Sequence, residues 1–124
     1  MQALVVDDSF LMRTILSRML EEFGFDVKTA KDGLQAVASL GAGPAPDVVL
    51  LDWYMPDMNG MDVLNHLRGE MGMKDLRVVM VTGENDPAMR SWALAAGADD
   101  YLVRPFNADS VADTLLSLGV LQAA

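Results

Sequence analysis

The chain contains no cysteine, which excludes disulfides, thiolate metal sites and cysteine nucleophiles. Histidine is nearly as scarce. His66 stands alone, so His-rich metal sites are ruled out and histidine-based catalysis has little to work with. Cations are outnumbered: 9 Lys and Arg face 18 Asp and Glu, for a formal net charge of −9. That is the wrong sign for broad nucleic-acid binding. No apolar run reaches the roughly 18 residues of a membrane span. No basic leader precedes the first apolar run, so no secretory signal is expected. Neither GxGxxG nor GxxxxGK(S/T) occurs, which removes the common phosphate-cradling loops. What remains is an acidic chain of 124 residues, 52% hydrophobic, too apolar to be disordered and long enough for one domain (1–124) with its own core. A monomeric cytoplasmic protein is expected, partnered by cations or by proteins with basic patches, and by neither nucleic acid nor membrane.

The apolar pattern alternates between two periods. Ala3 to Val6 reads as a strand. Ser9 to Phe23 reads as a helix, with Met12, Ile15, Leu16, Met19, Leu20 and Phe23 at i, i+3, i+4 spacing and Gly24 at the stop. Phe25 to Ala30 is a second strand. A helix opens at Asp32-Gly33 and runs to Leu40, with Leu34, Val37 and Ala38 on one face. "GAGPAP" is a surface turn. Asp47 to Leu51, Leu76 to Val81 and Tyr101 to Val103 read as strands. Gly60 to Arg68, Pro87 to Gly97 and Asn107 to Leu118 read as helices, with Pro87 at a helix start and Asn107 as a cap. Five strands alternating with five helices predict a doubly wound α/β fold with a five-stranded parallel sheet. Right-handed crossovers make 2-1-3-4-5, the flavodoxin-like order, the leading topology. Strands one and three are then neighbours at the switch point, where ligands bind at strand carboxyl ends.

Two of those strands end in acid. "ALVVDDS" delivers Asp7 and Asp8, and "VVLLDWYMPDMNG" delivers Asp52. The predicted order brings all three into one crevice. Two unit charges ~4 Å apart repel by roughly 4 kcal/mol at an effective dielectric of about 20, so the cluster calls for a cation or a retained proton. With only oxygen donors on offer, the ion is a hard one: Mg²⁺, with Mn²⁺ or Ca²⁺ as substitutes. A carboxylate beside such an ion can act as a nucleophile toward a phosphoryl group. That chemistry depends on positioning and charge neutralisation. Thr82, in "MVTGE", can offer a hydroxyl, and Arg104, in "YLVRPF", can offer positive charge.

The stretches "VVDDS", "LLDWYMPDMNG", "VMVTGE" and "AAGADDYLVRPF", with their spacing, resemble response-regulator receiver domains of the chemotaxis CheY type over essentially the whole chain. The resemblance implies that Asp7 and Asp8 hold Mg²⁺, with Asp52 and the backbone carbonyl of Tyr54 as further ligands. It implies that Asp52 accepts phosphate from a phosphohistidine on a histidine kinase or phosphotransfer protein. Thr82 would be the switch hydroxyl, Tyr101 the aromatic that rotates inward, and the Arg104–Pro105 peptide cis. One position departs: receivers carry Lys where this chain has Arg104, and the two head groups are not interchangeable.

Three functions follow. The first is a stand-alone phospho-switch that signals by binding a downstream protein, through a surface including Trp92, Tyr101 and Val103. The second is a degenerate receiver that binds partners without phosphate. The third, a Mg²⁺-dependent phosphohydrolase, lacks a separate general base, since His66 falls on the third helix. The retained acidic triad favours the first.

Overall fold

The computed structural model describes residues 1–122, so the last two residues of the expected domain lie outside it. The elements are β1 (Gln2–Val6), α1 (Phe10–Glu22), β2 (Asp26–Ala30), α2 (Gly33–Gly41), β3 (Val48–Asp52), α3 (Gly60–Arg68), β4 (Arg77–Thr82), α4 (Pro87–Ala95), β5 (Asp100–Val103) and α5 (Ala108–Ser117). All pairings are parallel, in the order β2-β1-β3-β4-β5. Leu16 and Leu20 of α1 and Val111 and Leu115 of α5 pack on one face of the sheet. Residues of α2, α3 and α4 cover the other. Sandwiched in this way, β3 is buried along its whole length, which is why its sequence runs apolar rather than alternating.

Each helix opens on a side chain that satisfies an otherwise orphaned backbone N–H. Ser9 accepts from Met12, Asp32 from Gln35 and Asp86 from Ala88. Asn59 and Asn107 form reciprocal boxes with Asp62 and Ser110. Because every helix follows a strand, all five caps gather at the carboxyl edge of the sheet, around the crevice.

Three expectations are corrected. Asp52 is the last residue of β3, while Asp47 precedes the strand. The buried face of α2 is Gly33, Ala36 and Leu40, not Leu34, Val37 and Ala38, and Leu34 is 71% exposed. The small residues win because α2 lies so close to the loop after β3 that a Cβ on Gly33 would sit 2.7 Å from the Met58 Cγ. On α1, Ile15 is exposed although its spacing fits the buried stripe.

Candidate functional site

The register of β1 and β3 pairs Val6 with Leu51, so the residues that follow, Asp7 and Asp52, emerge side by side. Asp7 and Asp52 are buried and Asp8 is exposed, and their carboxylates offer oxygens within 4.8 Å of one another. Oδ1 of Asp7 accepts the Ser9 N–H at 2.9 Å. Its Oδ2 is buried with no hydrogen-bond partner. A buried, unpartnered carboxylate oxygen facing two more carboxylates is the environment a hard cation would satisfy, so the residues present fit a divalent ion.

Electrostatics agree. Burial first, and then the neighbouring Asp7 carboxylate, push the Asp52 pKa up to about 7; Arg104 and a hydrogen bond from the Tyr54 backbone pull it back. Burial also raises Asp7, against the Ser9 N–H. Among the described residues Arg104 is the cation paired with the crevice carboxylates: Nη1 lies 3.5 Å from Asp52 Oδ1 and 3.7 Å from Asp7 Oδ2. Its backbone N–H donates to the Thr82 carbonyl at 2.7 Å, and the Arg104–Pro105 peptide is cis.

Thr82 is fully buried at the end of β4, and its Oγ1 accepts the Glu84 N–H at 3.1 Å. Tyr101 departs from expectation. It is 5% exposed, already turned inward, and its hydroxyl donates to the Glu84 carbonyl at 2.7 Å. An aromatic ring buried with its hydroxyl satisfied costs little, so nothing drives it out, and Tyr101 presents no surface to a partner in this conformation. Val103 is half-buried against the core. Trp92 is 60% exposed on α4. Trp53, next to Asp52, is buried and meets Trp92 edge-on at 5.6 Å and Tyr101 at 6.1 Å. His66 lies on α3, 3.2 Å from Glu70, and takes no part in the crevice.

Two participants escape a reading of the sequence. Glu84 contributes only backbone atoms, which no side-chain signal could announce. Arg13 steadies the acidic end of β1 by donating to the Asp7 carbonyl at 2.8 Å; its helical spacing alone marks it as a surface residue.

A family model for the response regulator receiver domain matches residues 3–116. The chain is 39% identical to the chemotaxis protein CheY1 of Helicobacter pylori over 108 residues, 86% of this chain and 87% of that protein. It is 38% identical to CheY-3 of Vibrio cholerae over 116 residues, 93% of this chain and 88% of the relative. The crystal structure of V. cholerae CheY4 superposes with a TM-score of 0.87 at 33% identity, covering 94% of this chain and 97% of that one. The chain belongs to the response regulator receiver family, and its place is in two-component signalling.

Proposed function

We propose that the chain acts across residues 1–124 as a phosphoacceptor receiver in the cytoplasm. It takes a phosphoryl group onto Asp52 from a phosphohistidine of a histidine kinase or phosphotransfer protein, and it signals by binding a downstream protein. The observation that carries this reading is the convergence of Asp7, Asp8 and Asp52 with Arg104 at the switch point. In the transfer, an Asp52 carboxylate oxygen attacks phosphorus, the phosphorus–nitrogen bond to the donor imidazole breaks, and the imidazole leaves with the electron pair and takes a proton. Asp7, Asp8, Asp52 and the Tyr54 carbonyl are the residues to hold Mg²⁺, with Mn²⁺ as a substitute. When bound, the ion supplies neutralisation of the phosphoryl oxygens. Arg104 partly offsets the burial and the Asp7 charge that raise the Asp52 pKa, and Thr82 donates its hydroxyl to a phosphoryl oxygen. Doing so draws Thr82 from the Glu84 N–H, and Tyr101, bonded to the Glu84 carbonyl, carries that loop movement toward Trp92, Val103 and the α4–β5 flank.

The test is incubation with acetyl phosphate and Mg²⁺, followed by mass spectrometry. A phosphoryl mass shift is expected on Asp52 and absent from Asp52→Ala. Phosphate on Asp47 or Asp57, or no shift at all, would overturn the assignment. No shift together with undiminished partner binding would instead identify a phosphate-independent module.

A further inference from the structure

Between α1 and the edge strand β2 lies a groove of about 300 Å³, and none of the crevice carboxylates lines it. Its walls carry the opposite charge to most of this acidic chain. Arg13 and Arg18 line it, two of the chain's 9 cations. Arg18 is exposed and forms no ion pair among the described residues. Arg13 commits only Nη1, to the Asp7 carbonyl at 2.8 Å, which leaves the rest of its fork unused.

The hydroxyls add donors of their own. A helical Ser or Thr ordinarily turns its hydroxyl back to the carbonyl one turn earlier. Thr14 does so, donating to the Phe10 carbonyl at 3.0 Å, as Thr114 does to Ser110 on α5. Ser17 does not: it lines the groove, and its Oγ is buried with no hydrogen-bond partner. Thr29 adds a hydroxyl from the β2 wall. The uncommitted groups are thus chiefly donors with positive charge among them, and they call for an anionic ligand rich in acceptors.

We propose that this groove is an anion site whose ligand is a small phosphate monoester. A phosphate dianion matches the two guanidinium charges and brings three terminal oxygens, enough for both forks and a hydroxyl. A carboxylate brings two oxygens and half the charge. Phe10 borders the groove at the start of α1, 74% exposed, with the Arg13 guanidinium 5.8 Å from its ring centroid. An exposed ring beside the anion position favours a flat apolar group esterified to the phosphate. Glu21 lies at the other end of the helical stripe and repels an anion there, which confines the phosphate to the Arg13–Arg18 stretch. Because Arg13 also holds the Asp7 carbonyl, a bound anion draws on the residue that steadies the acidic end of β1.

The experiment titrates phenyl phosphate into the full chain in chelated buffer at mildly alkaline pH, where the phosphate is a dianion and no divalent ion draws it to the crevice. Backbone amide and arginine side-chain resonances report binding, with inorganic phosphate and benzoate as partial probes. Saturable shifts are expected at Ser17, Arg18 and Thr29, with phenyl phosphate binding more tightly than either partial probe. Arg18→Gln should weaken phenyl phosphate by about fivefold to tenfold. Phe10→Ala should abolish its advantage over inorganic phosphate. Ser17→Ala should weaken binding about twofold to fivefold yet melt no lower than wild type, since the hydroxyl removed had no partner. Shifts that stay linear to the highest concentration, or that gather at Asp52 and Thr82 instead, overturn the site. Wild-type affinity in Arg18→Gln does the same. Benzoate binding as tightly as phenyl phosphate overturns the assignment to a phosphate monoester.

Discussion

Asp52 sits at 3% exposure beside Asp7, and its situation has a measurable signature in the absence of a divalent ion. In the unfolded chain its carboxyl titrates near the ordinary 3.8; in the fold, burial and then Asp7 raise it to about 7. Between those values the folded state holds a proton that the unfolded state has released. Stability from this group is therefore fully present below pH 3.8 and is lost as pH rises through about 7, at a cost of a few kcal/mol. Urea midpoints of the wild type in chelated buffer should fall over that window, and those of Asp52→Asn should fall less steeply. Parallel curves would show that Asp52 is not the group responsible. Arg104 invites a different expectation. Arg104→Lys preserves the charge that neutralises the crevice, so phosphorylation should largely survive, while the altered head-group shape should change the partner response. Phosphorylation lost with the response intact would reverse that assignment.

Single residues also decide how the elements meet. Arg68, on α3, donates to the carbonyls of Met73 and Gly97 and pairs with Asp99 at 3.0 Å. It thereby ties the end of α3 to the turn before β4 and to the segment between α4 and β5. Arg68→Met leaves two carbonyls without their side-chain donor and removes one partner of Asp99, which keeps the Val78 N–H and Arg77; it should lower unfolding free energy by about 2–3 kcal/mol in a urea titration, without loss of the phosphoryl mass shift. Gly60 opens α3 directly beneath the crevice: its N–H donates to the Trp53 carbonyl at 2.8 Å, and a Cβ there would strike the Asp52 carbonyl. Gly60→Ala pushes β3 and α3 apart against immovable backbone, so a loss of roughly 1–3 kcal/mol is expected, with phosphorylation impaired because Asp52 shifts with its strand. A Gly60→Ala protein as stable and as reactive as wild type would show that the junction yields more readily than this packing implies.

For the whole molecule, the acidic crevice and the excess of 18 acids over 9 cations make divalent ions stabilising. At about 100 times its dissociation constant a ligand adds roughly 2.7 kcal/mol, so melting with Mg²⁺ and with a chelator should differ by several degrees, and Asp8→Asn should shrink the gap. Identical melting curves for the wild type would end the metal-site reading. Trp53 links this end of the sheet to the α4 flank, since it touches both Trp92 and Tyr101. Mg²⁺ or phosphate should therefore alter tryptophan emission, chiefly through Trp53. Exposed Trp92 is suited to anchor a partner. Trp92→Ala should weaken binding of the downstream protein, measured calorimetrically, while the phosphoryl shift on Asp52 remains. Undiminished binding would move the output surface elsewhere, to α1 in the first instance.

Local chemistry determined the strands, the helix starts and the acids. Apolar runs as short as Val48–Leu51 are legible because burial on both faces demands them, and capping residues such as Ser9 and Asn107 act on backbone only a few positions away. Right-handed crossovers then brought Asp7 and Asp52 together without any knowledge of side chains. Orientation was left to the tertiary structure. Leu34 faces solvent because Gly33 packs against Met58, a neighbour from another loop. Tyr101 is inward because Trp53 and the Glu84 carbonyl receive it. Arg104 bridges carboxylates from two other strands. In each case the deciding contact is distant in the chain, and periodicity, which counts only nearby residues, carries no information about it.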